Sequence, residues 1–232
     1  DATALAQAGI RPLTEPYDID GQQAVIGVSV GISVGPGDGS SSDRLLRNAD
    51  LALYRAKSDG RGTFRFFESA MDLQMQTRRV MEQDLRKALP AGEFELHYQP
   101  IVNLASNEIS GFEALIRWNH PLRGMISPAA FIPLAEEIGF ILPMGEWVIR
   151  QACATAAQWP AHLHVAVNIS AIQFRSPGLM QVIVGALAAT GLAPTRLEIE
   201  ITESVLLHNK EATLAVLHQL RALGIRIAMD DF

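Results

Sequence analysis

The sequence predicts an α/β fold built from βα units around a mostly parallel sheet. Three observations carry that prediction. From about residue 94 onward, strand-like runs alternate with helix-length apolar patterns. On the second of these strands Phe112, Ala114, Ile116 and Trp118 make one apolar face that would pack under helices. The composition is ordinary globular material, with 48% hydrophobic and 19% charged residues across 232 positions.

Taken in order, residues 22 to 35 alternate. Ala24, Ile26, Val28, Val30, Ile32 and Val34 fall on one face, and Gly27, Ser29, Gly31 and Ser33 on the other. A period of two predicts one strand or a bent hairpin. Pro36 to Ser40 is a loop. Ser42 and Asp43 are placed to cap a helix carrying Leu45, Leu46, Ala49, Leu53 and Ala56, ending near Gly60. Thr63 to Phe67 reads as a short strand. Residues 71 to 89 form a charged, glycine-free helix suited to joining two domains, broken by Pro90-Ala91-Gly92. Beyond it, strands are predicted at 94–101, 109–118, 164–170, 196–202 and 225–230. Helices are predicted at 128–138, 143–159, 178–190 and 210–223. The first two of these strands are too close for a crossover helix and form a hairpin.

The net charge of -6 gives no electrostatic footprint for a nucleic-acid polymer or an anionic membrane. The single cysteine, Cys153, excludes an internal disulfide framework, and its apolar helical surroundings predict a buried structural thiol in a reducing, cytoplasmic setting. The most apolar stretch, Leu179 to Ala193, is shorter than a membrane span and reads as a buried helix. The chain starts at Asp1 and stops just after the adjacent carboxylates Asp230 and Asp231, so it reads as an internal piece of a longer protein, whose membrane anchoring through an upstream sensor is left open.

Several strands carry oxygen ligands. Period two puts Glu113, Leu115 and Arg117 on one face and Phe112, Ala114, Ile116 and Trp118 on the other, under helices. Glu113 and Arg117 form a structural ion pair, or else Glu113 holds a cation while Arg117 grips a phosphate. Asn168 either satisfies local backbone or serves as a neutral ligand. Glu198 and Glu200 share a face of a central strand, where water or metal must receive them. Asp230 and Asp231 cap a helix or ligate, and both ligate directly only if the strand bends. Glu203 sits at the wrong spacing for the Glu200 face and suits a loop-anchoring role. The combination is what counts. Glu113, Asn168, Glu200 and the Asp pair all come near strand ends and offer only hard oxygens, which favours two Mg²⁺ or Mn²⁺ ions over zinc or copper. Competing motifs are absent: the six histidines form no HExxH or Cys/His cluster, and His162 and His164 read as surface residues.

The segments FEALIRW with HP following, VNIS, EITE and MDDF, with YQPIV and SPAAFIPLAEEIG nearby, resemble the EAL family of cyclic di-GMP phosphodiesterases over about residues 75 to 232. Upstream, SVGIS, ADLALYRAK and DGRG resemble the C-terminal third of a GGDEF, diguanylate cyclase-like domain over about residues 1 to 68. The resemblance implies three segments: 1–68 from the GGDEF domain, a linker helix at 69–89, and 90–232 as the N-terminal part of an EAL domain. Residues 90 to 232 number 143, so they supply an incomplete TIM-like (β/α) barrel, which in full takes about 250 residues.

Position by position, the resemblance makes Glu113, Asn168, Glu200, Asp230 and Asp231 metal ligands. Arg117 becomes a phosphate contact, Leu115 part of the pocket floor, and Glu203 a loop anchor. Lys57 and Arg61 match phosphate-contacting positions of the cyclase fold, where GTP would bind, while Gly62 departs from that family's usual Asn. A catalytic Lys and a base Glu are expected beyond Phe232. The implied activity is two-metal, in-line hydrolysis of cyclic di-GMP to pGpG in bacterial second-messenger signalling, by a homodimer in the full-length protein. These 232 residues alone are expected to be inactive. The alternative is a non-catalytic cyclic di-GMP receptor.

Overall fold

The computed structural model describes residues 1–19, 22–202, 205 and 210–230. The chain divides into two compact units, Asp1–Met81 and Glu82–Phe232.

In the first unit, helix α1 (Ala2–Leu13) starts where the Asp1 carboxylate accepts the Thr3 N–H at 3.0 Å. Strands β1 (Tyr17–Ile19) and β2 (Gln22–Ala24) pair antiparallel. Strand β3 (Val30–Ile32) pairs in parallel with β4 (Phe64–Phe66), and helix α2 (Ser42–Ser58) makes the crossover. Residues 22–35 are therefore not one strand. Their alternation continues through Val25 and Ile26, which are exposed, but β3 finds a hydrogen-bonding edge over only three residues. The cap of α2 is Ser41, one residue earlier than expected, accepting the Arg44 N–H at 3.3 Å. Gly31 lies so close to α2 that a Cβ there would run into the Ala49 carbonyl and the Leu53 backbone.

Helix α3 (Ser69–Ala91) runs through Pro90 instead of stopping before it. Proline removes the hydrogen bond that residue 90 would donate to the Arg86 carbonyl, and the helix ends one residue later. The stop comes at Gly92, whose φ of +70° turns the chain, with the Glu93 N–H returning to the Ala88 carbonyl at 3.0 Å.

The described strands of the second unit form a six-stranded sheet in the order β10-β9-β8-β6-β5, with β7 also on β6. Strand β5 (Phe94–Asn103) and β6 (Glu108–His120) make the expected antiparallel hairpin, and β7 (Gly124–Ile126) folds back on β6. Strands β6, β8 (His164–Asn168), β9 (Leu197–Thr202) and β10 (Arg226–Asp230) run parallel. Their crossovers are α4 (Pro128–Glu137) with α5 (Ile141–Ala156), then α6 (Ala171–Phe174) with α7 (Leu179–Thr190), then α8 (Lys210–Ala222).

The helix periodicity is clearest in α5. Ile141, Met144, Val148, Ile149, Ala152, Cys153 and Ala156 form its buried stripe, which packs on β8 with its buried Val165 and Val167; Leu197, Ile199 and Ile201 of β9 are buried as well. Each such aliphatic side chain contributes about 1.5–3 kcal/mol on burial. Arg196, in a turn before β9, closes the C-terminal end of α5: it donates to the carbonyls of Ala156 (2.7 Å) and Leu163 (2.8 Å) and, more distantly, to those of Trp159 and Pro160. Cys153 is buried as expected, and burial pushes its thiol up to about 11. α7 is 12 residues long with Leu179, Ile183, Ala186 and Leu187 buried, and no described helix is long and apolar enough to cross a membrane.

Candidate functional site

Strand register brings Glu113, Asn168 and Glu200 to one face near one end of the strands, with the backbone of Asp230 in the same phase. Glu113 is opposite Ala166, so Asn168, two residues on, stands next to Glu113 on the same face. Asn168 is directly opposite Glu200. Glu200 is opposite Ala228, and Asp230 follows two positions later, opposite Thr202. Each step across the sheet moves up by nought or two residues, so the side-chain phase is kept. Glu113 lies in the middle of β6, not at its end. It reaches the same rim because β6 pairs with β8 only over Gly111–Ala114 and runs on to His120.

The contacts agree with the register. The Asn168 amide Nδ2 donates to Glu113 Oε1 at 2.6 Å. With its N–H₂ engaged there, the donor atom Asn168 has left for a cation is Oδ1. Glu200 Oε2 is buried from solvent. Two carboxylates and an amide carbonyl make a hard-oxygen set that fits Mg²⁺ or Mn²⁺ and does not fit a soft metal. Among the described residues, no group of three or more His, Cys, Asp or Glu side chains converges, since one member here is an asparagine. Asp231 and Glu203 lie outside the described residues, and Asp230 is described through its backbone.

One sequence expectation fails at the opposite end of the strands. His164 is buried, at 6% exposure, and is not a surface residue. Its Nε2 lies 3.8 Å from Glu198 Oε2, so a histidine faces the half-buried Glu198 carboxylate. Gly111 makes room for it: a Cβ there would stand 2.5 Å from His164 Nδ1 and 2.6 Å from its carbonyl oxygen. The signal was available in the phase of the strand, which places His164 on the Ala166 and Asn168 face.

Leu115 and Arg117 continue the Glu113 face beyond the end of β8. Arg117 Nη1 donates to the Ile116 carbonyl at 2.9 Å, and the pair with Glu113 considered from sequence does not form. On the neighbouring strand, Gln99 is in register with Glu113, His97 with Leu115 and Glu95 with Arg117. Gln99 was missed by the sequence reading, although the hairpin and a period of two place it on this face. In the first unit Lys57 and Arg61 are exposed near the end of α2, and Arg61 adopts φ +63° between Gly60 and Gly62. Beside them, the hydrogen bond from Arg65 (2.7 Å) lowers the Asp59 pKa, with Arg55 adding to the effect.

Comparison with known proteins places both units. The EAL domain family model matches residues 82–232, and that of the diguanylate cyclase, GGDEF domain, matches residues 1–63. An uncharacterized signaling protein of Caulobacter vibrioides is 49% identical over all of this chain, which covers 29% of that protein. The bifunctional diguanylate cyclase/cyclic di-GMP phosphodiesterase MucR of Pseudomonas aeruginosa is 41% identical over all of this chain and 34% of its own length. The chain thus spans about a third of the length of these curated relatives. Among solved structures, the MucR phosphodiesterase in complex with c-di-GMP superposes with a TM-score of 0.64 at 42% identity, over 66% of this chain and 63% of that one.

Proposed function

This chain belongs to the EAL domain family and carries a GGDEF segment ahead of it, and from that premise we propose that it is part of a cyclic di-GMP phosphodiesterase that yields pGpG. The supporting observation is the meeting of Glu113, Asn168 and Glu200 on one face of three neighbouring strands, tied by the 2.6 Å Asn168–Glu113 hydrogen bond. We assign residues 1–68 to the GGDEF segment, 69–89 to the linker helix and 90–232 to the EAL segment.

In this reading Glu113, Asn168, Glu200, Asp230 and Asp231 hold two divalent ions, Mg²⁺ or Mn²⁺. When bound, such ions supply Lewis acidity, offsetting phosphoryl charge and acidifying water. Asn168 orients Glu113 through its amide, so the two act as one donor unit. Arg117 holds the non-bridging phosphate oxygens with its planar fork, Leu115 lies in the pocket floor, and Glu203 anchors the adjoining loop. Hydrolysis adds water across one P–O3′ bond, and the departing 3′ oxygen takes up the proton. Lys57 and Arg61 serve phosphate contacts in the GGDEF segment, where GTP is the ligand.

The test is turnover by the purified full-length protein with Mg²⁺ or Mn²⁺, following pGpG by chromatography. Product formation that stops on chelation supports the reading. Tight binding of cyclic di-GMP without product makes the protein a receptor instead. A folded protein that neither binds nor hydrolyses the nucleotide overturns both.

A further inference from the structure

Strand β6 outruns its parallel neighbour. Residues 116–120 extend past β8 by roughly 17 Å, at about 3.3 Å per residue, and pair only with β5 and β7. This three-stranded flap carries Arg117, so whatever steadies the flap steadies the phosphate grip.

The C-terminal half of α3 is what supports it. Leu85 and Ala88 of that helix are fully buried. Where the flap ends, His120 (6% exposed) uses both ring nitrogens. Its Nδ1 accepts the N–H groups of Leu122 and Arg123 at 3.1 and 3.2 Å, fixing the β6–β7 turn. That leaves the ring proton on Nε2, which faces Asp84 Oδ2 of α3 at 3.3 Å. Arg123 approaches the same oxygen at 3.7 Å. A second tie lies one strand position inward: Trp118 Nε1 donates at 2.9 Å to Glu93, just past the end of α3.

We infer that Asp84 and His120 are positioning residues for Arg117: the helix acts as a strut that fixes the flap, and the rim ligands on β8 and β9 do not depend on it. The inference rests on Arg117 being the phosphate contact. Losing Asp84 removes the carboxylate that faces the buried His120 ring at 3.3 Å and frees the turn, letting the end of β6 twist against the helix. Substrate affinity should fall while the metal site keeps its geometry.

The experiment compares Asp84→Ala and Asp84→Asn in the full-length protein, by hydrogen exchange and by kinetics. Loss of a buried, charge-assisted contact is worth about a factor of ten. Asp84→Ala should speed exchange of amides in residues 115–126 by about tenfold, leaving β8 and β9 protected. KM for cyclic di-GMP should rise about tenfold with kcat within about twofold, and Asp84→Asn, which keeps an oxygen facing Nε2 but not the charge, should restore part of both. Unchanged exchange in the flap, a uniform rise over the whole unit, a fall in kcat at constant KM, or failure of Asn to rescue would each overturn the strut. If the wild-type protein neither binds nor cleaves the nucleotide, the functional reading falls, and flap exchange alone still decides the strut. Should Asp84→Ala not fold, Glu93→Ala against Glu93→Gln tests the second tie by the same readouts.

Discussion

Asn168 and Glu113 are 55 positions apart in the chain, yet their 2.6 Å hydrogen bond makes them one unit. Asn168→Ala removes the group that orients Glu113, and the proposed site should lose affinity for Mn²⁺ by about 10–100-fold, as losses of ligand-orienting partners do, read by metal titration of the full-length protein. Cys153 gives a pH prediction. Its folded thiol sits at about 11 against an ordinary 9.0, because burial disfavours the thiolate. The unfolded chain therefore loses this proton first as pH rises. The stabilisation is complete below about pH 9 and disappears by about pH 11, a total of about 3 kcal/mol. Urea midpoints measured from pH 8 to 11 should fall more steeply for the wild type than for Cys153→Val. Burial of Cys153 was legible from its apolar helical neighbours. That of His164 was not read from two nearby histidines beside a proline, because burial depends on Gly111 of another strand leaving space for the ring.

At the scale of elements, glycine in β6 has a measurable role. A Cβ at Gly111 would press on the His164 ring and on its backbone carbonyl, and the carbonyl is fixed by strand pairing. Gly111→Ala should cost about 1–3 kcal/mol, read as a lower urea midpoint. Removing the ring as well, with His164→Ala, should recover only part of it, since the carbonyl clash remains. In the second unit α4, α7 and α8 were legible to within a residue and α5 to within three, because their apolar stripes repeat over several turns, whereas the single turn of α6 was not. The strands there were legible through runs of Val, Ile and Leu. Residues 22–35 show where this fails: alternation specifies which way side chains face but not whether a neighbouring backbone offers hydrogen bonds. Pro90 shows the converse, since a breaker in a last turn leaves the end of a helix to the glycine after it.

For the whole molecule, the described sheet runs from β5 to β10 without closing. EAL domains have a TIM-like barrel, and a closed barrel of that kind uses eight strands. Residues 1–232 expressed alone should therefore give no pGpG above background, because the proposed metal site is walled on one side only by the described strands. The full-length protein assayed beside them should turn over. Turnover by residues 1–232 at a comparable rate would show that the remaining wall is dispensable.

The sequence by itself determined the α/β class, the order of elements, and which residues bring hard-oxygen chemistry, since periodicity and side-chain type are local properties. Only the tertiary structure decided which of them meet. Glu113 shares the rim with Asn168 because β6 overshoots β8, Glu198 comes within 3.8 Å of His164, and Arg117 lies on the part of β6 that outruns β8. Register and relative strand length arise from pairing between distant segments, and no window of sequence contains both partners.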